Sequence, residues 1–215
     1  MTYTTDSFDQ ALQANQRLER GMYGLIDDWL REAIKCHQPS GPALLIGSRD
    51  QGFGPWYEAL LVAQGIGPVF ATDYNAVSYD GREDVSFLGF PVEPHSSFKT
   101  IVSISSIEHS GLGLYGEAVD PDGDLKAMQQ ARQLLADQGL MFLAVPLGVD
   151  EIHEGTHRVY GRERLPRLLE GWKLIDAVGF EDSMLDRPAE FTWNQPDRGD
   201  LPEPSPVLVL RKAGA

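Results

Sequence analysis

The 215 residues are enough for one domain of ordinary size, and a hydrophobic content of 42% predicts a folded globular chain. Asp and Glu number 32 against 18 Lys and Arg, so the formal net charge is −14. Because nucleic acids and anionic membrane surfaces attract basic proteins, this balance argues against both as partners.

The beginning of the chain predicts a helical extension. Apolar residues recur there at steps of three or four, which is the period of one helical face. Gly21 and Gly24 weaken the pattern, so one long helix and two short helices fit equally well. The polar cluster at residues 37–41 contains Pro and Gly and cannot continue a helix. We therefore assign residues 1–38 to a helical extension and residues 39–215 to the main domain.

Short apolar runs alternate with helical patterns over the main domain, which is typical of an α/β fold with a mostly parallel sheet. Helices are predicted after Pro55, over residues 121–137 with Asp120 as the N-cap, and around residues 163–169. A polar, Pro-rich loop is predicted at residues 187–206. We expect strands at residues 43–46, 69–72, 85–88, 101–104, 140–145, 172–180 and 206–210.

The sequence also bears on the environment of the protein. Cys36 is the only cysteine and cannot form an internal disulfide, which fits a reducing cytoplasm. The polar, acidic start has no secretory signal pattern. The most apolar window, residues 139–149, is shorter than the roughly 20 residues of a spanning helix. We expect a cytoplasmic protein without a membrane segment, and a homodimer is left open.

Residues with chemical potential follow the predicted strands, where open α/β sheets bind their ligands. The first strand leads into the glycine-bearing loop at residues 47–54. This loop is not a dinucleotide fingerprint, because no GxGxxG pattern fits its glycines, Gly47, Gly52 and Gly54. It is not a P-loop either, because Phe53 stands where a P-loop has its lysine. Asp73 ends the second strand, where a carboxylate can accept hydrogen bonds from ribose. Each feature alone also fits a turn, but together they favour a nucleoside pocket.

Two further polar segments follow later strands. Residues 105–113 place Glu108 and His109 beside two serines, which suits acid–base chemistry or a hydrogen-bonded turn. His153, Glu154 and His157 spell the HExxH motif of zinc hydrolases. That motif needs a helix, and a Gly-Thr pair inside it argues against one, so the zinc hydrolase remains an alternative. A serine hydrolase is disfavoured, since no GxSxG is present.

The string Lys-Thr-Ile-Val-Ser-Ile-Ser-Ser-Ile-Glu-His at residues 99–109, a following helix, and Gly-Leu-Met-Phe-Leu-Ala-Val-Pro at residues 139–146 resemble class I S-adenosylmethionine-dependent methyltransferases. In that superfamily the fourth strand commonly ends in a Ser-x-x-x-Glu-His-like string. The late segments of that superfamily are also similar to two strings here, His-Arg-Val-Tyr at residues 157–160 and Gly-Phe at residues 179–180. The likeness covers about residues 42–182 and is greatest to an uncharacterised branch.

This resemblance implies a Rossmann-like sandwich, in which a mostly parallel seven-stranded sheet has helices on both faces. It also implies S-adenosylmethionine as the cofactor. Asp73 would hold the ribose of the cofactor and Tyr74 would lie along its adenine. The other cofactor residues by resemblance are Gly47, Ser48, Gly52 and Ser105.

The resemblance also implies methyl transfer to an oxygen or nitrogen atom of a small polar molecule. His109 would be the base and Glu108 would orient it. The substrate-binding candidates are Tyr115, His157, Arg158 and Tyr160, and no metal is implied. A binding protein of the same fold without transfer activity stays open, because the usual acidic residue at the end of the first core strand is replaced by Leu45-Ile46.

Overall fold

A computed structural model of the protein describes residues 1–47, 54–93, 97–189 and 205–214. Short 3-10 helices cover Ile107–His109 and Asp182–Asp186. The remaining regular elements of these ranges, in chain order, are β1 (Thr2–Tyr3), α1 (Thr5–Gln16), α2 (Leu25–His37), β2 (Ala43–Ile46), α3 (Trp56–Ala63), β3 (Val69–Thr72), β4 (Ser78–Tyr79), β5 (Val85–Leu88), β6 (Phe98–Ile104), α4 (Gly123–Leu134), β7 (Leu135–Ala144), β8 (Glu151–His153), β9 (His157–Val159), α5 (Arg164–Leu168), β10 (Trp172–Val178) and β11 (Val207–Lys212).

Seven strands form the central sheet in the order β10-β11-β7-β6-β2-β3-β5. Strand β11 runs antiparallel to β10 and β7, and the other neighbouring pairs are parallel. From β2 the chain moves outward through β3 to β5 and then returns to β6 on the other side of β2. The strand order therefore reverses between β2 and β6, where open α/β sheets form a ligand crevice.

The sheet separates two hydrophobic clusters, which places helices on both of its faces. Neighbouring residues of β2 point to opposite sides, so Leu45 joins the cluster of α1, α2 and α3. Leu44 joins the cluster that contains residues of α4 and α5. Burial on both faces explains why the core strands read as continuous apolar runs. The predicted seven-stranded Rossmann-like sandwich is thus confirmed.

The predicted helical extension consists of two helices. Leu18, in the connection between them, adopts a φ of 60°, a left-handed conformation that interrupts the helical path. Leu30 and Ala33 of α2 are fully buried in the cluster that also contains strand residues, so the extension shares its core with the sheet. The parallel pairing of β1 with β4 was not predicted, since two-residue strands carry no periodic signal.

Several predicted bounds need correction, among them those of one helix and one strand at the sheet. Helix α4 begins at Gly123, and Asp120 is not its N-cap. Asp120 Oδ1 instead accepts a hydrogen bond from Asp122 N at 3.1 Å, which forms a turn before the helix. Strand β7 begins at Leu135 rather than at Leu140, because Leu135 already has an extended backbone and pairs with Phe98.

Two further expectations concern segments outside the sheet. Most of the predicted loop at residues 187–206 lies outside the described residues. In the part of the chain that the structure describes, no helix combines the length and apolarity that crossing a bilayer requires.

Candidate active site

A cavity of about 330 Å³ opens at the carboxyl ends of β2, β3, β5 and β6, beside the point where the strand order reverses. Its volume is in the usual range of small-molecule sites. The sheet side of the wall is formed by the ends of these strands and the residues that follow them, namely Leu44, Ile46, Gly47, Thr72, Asp73, Tyr74, residues 90–93, Ile104, Ser105 and Ser106. His109, Ser110, Tyr115 and one face of α4 complete that side.

Gly47 lines the cavity where β2 passes closest to the turn after β6. Its φ is +83°, and a Cβ atom built on it would overlap Ser106, lying 2.6 Å from Ser106 Cβ. Its amide donates a hydrogen bond to Thr72 O at 2.9 Å. This position therefore requires glycine for close approach as well as for conformation. Two other predicted cofactor residues, Ser48 and Gly52, lie outside the described residues.

Asp73 and Tyr74 lie together in the wall at the end of β3, as their sequence position predicts. Asp73 Oδ1 accepts a hydrogen bond from Asn75 N at 2.7 Å, which fixes the carboxylate at the strand end. Tyr74 contacts Phe90, with ring centroids 4.5 Å apart. Desolvation raises the pKa of the Tyr74 hydroxyl, and the nearby carboxylates of Glu117 and Asp73 raise it further.

Tyr115 is held against Tyr74 by the turn that carries it. The two rings are stacked, with centroids 5.6 Å apart and an interplanar angle of 15°. Glu117 accepts hydrogen bonds from Gly113 N at 2.8 Å and Tyr115 N at 2.9 Å. Although desolvation opposes them, backbone hydrogen bonds lower the pKa of the Glu117 carboxyl. A carboxylate thus ties together a glycine-rich turn and presents Tyr115 to the cavity.

His109 also lines the cavity, but Glu108 does not orient it as predicted. The distance from Glu108 Oε1 to His109 Nε2 is 3.8 Å, which is too long for a hydrogen bond. His109 Nδ1 instead lies 2.6 Å from the carbonyl oxygen of Thr156. Because a carbonyl only accepts, Nδ1 carries the hydrogen, and in the neutral ring Nε2 has the free electron pair.

Glu108 lies beneath this turn and is fully buried. Its Oε1 accepts a hydrogen bond from Ser105 Oγ at 2.8 Å, and Oε2 has no hydrogen-bond partner among the described residues. Burial raises the pKa of the carboxyl group, although the charge of His109 lowers it in part. Ser105 lines the cavity in a left-handed conformation, with a φ of 47°. This serine therefore joins the buried Glu108 to the cavity wall.

The predicted substrate contact of Arg158 is not supported, because its guanidinium holds the protein together. The side chain is 2% exposed and does not line the cavity. Its Nη1 donates to the carbonyls of Glu108 at 3.2 Å and Ser110 at 2.7 Å. Its Nη2 donates to the carbonyls of Asp120 and Pro121. Arg158 thus joins the turn that carries His109 to the turn before α4.

Tyr160 and His157 are likewise buried outside the cavity wall. The Tyr160 hydroxyl donates to Asp124 Oδ2 at 3.0 Å, and burial together with Asp124 raises its pKa. His157 lies behind His109, with ring centroids 6.0 Å apart. Desolvation, assisted by the charges of His109 and His153, lowers the pKa of His157 to about 4. Both positions argue for structural roles instead of the predicted substrate contacts.

The HExxH string does not form the helix that a zinc hydrolase needs. His153 and His157 face each other in the antiparallel pair β8–β9. Glu154 and Gly155 form the turn, with φ values of 48° and 72°. Over the described ranges, no group of three or more His, Cys, Asp or Glu side chains is arranged to hold a metal ion.

Sequence reasoning missed several wall residues. Tyr23, from the connection between α1 and α2, and Tyr57 of α3 line the cavity. Tyr57 donates to the buried Asp27 at 2.9 Å, and burial raises the pKa of that carboxyl. Gln130 and Gln133 reach the cavity from α4. Of these residues only Gln130 and Gln133 could have been found from the sequence, because they have helical spacing with three other wall residues, Ala127, Ala131 and Leu134.

Comparison with solved structures shows the fold. A S-adenosylmethionine-dependent methyltransferase from Clostridium acetobutylicum superposes with a TM-score of 0.54 at 11% identity, covering 88% of this chain and 91% of that one. The CcbJ methyltransferase from Streptomyces caelestis gives a TM-score of 0.54 at 13% identity, covering 90% and 93%. The glycopeptide N-methyltransferase MtfA, complexed with sinefungin, gives 0.50 at 14% identity, covering 85% and 91%.

Sequence comparison identifies the family. No functionally curated protein matches the chain. Residues 51–213 match the family described as "Caenorhabditis protein of unknown function, DUF268". The match covers well over half of the sequence. The chain therefore belongs to the DUF268 family, and its fold is that of the class I S-adenosylmethionine-dependent methyltransferases.

Proposed function

We propose that the protein is an S-adenosylmethionine-dependent methyltransferase that acts on an oxygen or nitrogen atom of a small polar molecule. The observation that carries this proposal is the cavity at the reversal of strand order, with Asp73 and Tyr74 in its wall. A carboxylate there can accept hydrogen bonds from both hydroxyl groups of a ribose. The Tyr74 and Phe90 rings offer faces for a purine, and Gly47 and Ser105 suit the methionine part.

The cofactor, when bound, supplies a methyl group that is already activated on a sulfonium. The protein then has to hold the acceptor close and in line, and to remove a proton from it. We assign proton removal to His109 Nε2, because the Thr156 carbonyl fixes the proton of the neutral ring on Nδ1. Thr156 is thus a positioning residue that acts through its main chain.

Isothermal titration with S-adenosylmethionine and S-adenosylhomocysteine tests cofactor binding. Asp73→Asn should weaken the affinity for both about 10- to 100-fold, the usual effect of losing a charged hydrogen-bond acceptor. Asp137→Asn is the matched control, because Asp137 lies near the amino end of β7, whereas the cavity lies at the carboxyl ends of the parallel strands. Equal affinities of the two variants would overturn the ribose assignment.

Transfer is tested by S-adenosylhomocysteine release in the presence of a low-molecular-weight metabolite extract. His109→Ala should bind S-adenosylhomocysteine as the unmodified protein does and should release none from the donor. If the unmodified protein binds the cofactor but never turns it over, the alternative of a ligand-binding protein is favoured. If it does not bind the cofactor at all, the proposed function is wrong.

A further inference from the structure

The cavity wall has a marked bias in charge. Among its described lining residues there are two carboxylates, Asp73 and Glu93, and no Lys or Arg. Aromatic rings line it from five positions, Tyr23, Tyr57, Tyr74, Phe90 and Tyr115. Carboxylates and the electron-rich faces of aromatic rings both attract cations. An anionic ligand would find neither a Lys nor an Arg in this part of the wall.

Three arginines between residues 158 and 164 are occupied by other partners. Arg158 donates to backbone carbonyls, as described above, and lies 3.7 Å from Asp124. Arg164 forms a 2.6 Å ion pair with the same aspartate. Arg162 pairs with Asp182 and Asp186 on the surface. These contacts leave the guanidinium groups turned to carboxylates and carbonyls instead of to the ligand.

The aromatic and acidic groups meet beside the proposed base. The rings of Tyr115 and His109 are perpendicular, with centroids 6.3 Å apart, and Tyr74 stacks on Tyr115. Glu117 holds Tyr115 by its backbone amide, so its carboxylate lies close to the aromatic pair. A nitrogen atom within hydrogen-bond reach of His109 therefore comes into the roughly 6 Å range of cation–π contacts. Desolvation is the main cause of the raised pKa of the Tyr74 hydroxyl, and the further rise due to the carboxylates of Glu117 and Asp73 agrees with a negative potential here.

From this geometry we infer that the acceptor is a cationic amine, held by Tyr115 and by the carboxylate of Glu93, and that carboxylate or phosphate acceptors are rejected. The inference rests on the proposed function, which it narrows from oxygen or nitrogen acceptors to amines. It also replaces the expectation from the sequence that Arg158 contacts the substrate. The amine binds as the ammonium ion, which is the form that prevails at neutral pH, and His109 Nε2 then takes one proton from it. The nitrogen thereby gains the free electron pair that attacks the methyl group.

The test is titration of the full-length protein, saturated with S-adenosylhomocysteine, with three phenylalkyl probes of similar size that differ in charge. Phenethylamine is cationic, 3-phenylpropanoate is anionic and 3-phenylpropanol is neutral. We expect phenethylamine to bind at least about tenfold more tightly than 3-phenylpropanoate, with the alcohol between them, as a cation–π contact and a nearby carboxylate require. Tyr115→Leu and Glu93→Gln should each reduce that ratio about threefold or more.

Glu154→Gln is the matched control, because this exposed carboxylate lies in the β8–β9 turn and does not line the cavity. It should leave the ratio unchanged. Saturation with S-adenosylhomocysteine is verified first for every variant, so a failure of the proposed function is recognised separately. Three results overturn the amine inference: 3-phenylpropanoate binds as tightly as phenethylamine, neither Tyr115→Leu nor Glu93→Gln alters the preference, or no probe binds to the saturated protein.

Discussion

Arg158 provides the sharpest test of the structure, because sequence and structure assign it different roles. If Arg158 binds substrate, Arg158→Met should fold normally and lose only substrate affinity. If it joins two turns from within the protein, Arg158→Met should lose stability. Methionine retains most of the apolar stem of arginine, so the substitution removes the guanidinium with little change in packing.

The magnitude follows from the contacts that are lost. The guanidinium donates to four buried or partly buried carbonyls and lies 3.7 Å from Asp124 Oδ1. Removing one partner of a buried, hydrogen-bonded charge typically costs about 3–5 kcal/mol. Asp124 keeps Arg164 as a partner, so we expect a loss near the lower end of that range. Since domains are stable by about 5–15 kcal/mol, such a loss is easily measured.

The assay is urea unfolding followed by tryptophan fluorescence and far-UV circular dichroism. Arg162→Met is the matched control, because Arg162 is four positions further along the chain and its side chain is 50% exposed. That control should unfold at the same urea concentration as the unmodified protein. Equal midpoints for Arg158→Met and Arg162→Met would refute the structural role. Retained stability combined with lost substrate binding would restore the interpretation made from the sequence.

Two further predictions concern the cavity and its surroundings. Gly47→Ala should destabilise the protein by about 1–2 kcal/mol because of its positive φ, and further because the new methyl group overlaps Ser106. Urea unfolding of the double variant with Ser106→Gly should show that only the cost of the overlap is relieved. His157 has a pKa of about 4 in the folded protein against 6.5 as its ordinary value, so the unfolded chain binds the extra proton between these values. Stability should therefore fall as the pH falls from 6.5 towards 4, and His157→Gln should show a shallower loss when unfolding is compared at pH 7, 6 and 5. A loss of equal slope in both proteins would mean that other groups cause it.

The parts of the fold that sequence could predict are those with a local cause. The run Ala43–Ile46 is apolar without interruption because the strand is covered on both faces, and Asp73 follows directly where β3 ends. A residue next to a recognised strand end has its place in the site fixed by topology alone. This is why Asp73, Tyr74 and His109 could all be placed at the cavity from the sequence.

Residues that depend on distant chain contacts could not be predicted in this way. Tyr57 reaches the cavity because Asp27, from a separate helix, accepts its hydroxyl hydrogen bond. The group that fixes the His109 ring is a main-chain carbonyl of Thr156, 47 positions later, and a carbonyl leaves no mark in a sequence. Glu108, which adjoins His109 in sequence, was the natural but wrong choice for that role.

Contacts between charged side chains were equally hard to predict from the sequence. The acidic residues before and within the first turn of α4 suit the positive end of the helix dipole, and the sequence alone predicts Arg158 to be a substrate contact. In the structure they belong to one network, because Asp124 is fully buried and accepts hydrogen bonds from Tyr160 and Arg164 beside Arg158. A buried carboxylate needs such partners, and each arginine that it engages is withdrawn from the solvent and from the cavity. In this network the two arginines stabilise the protein beside α4, and neither lines the described wall of the cavity, whose charged residues besides His109 are Asp73 and Glu93.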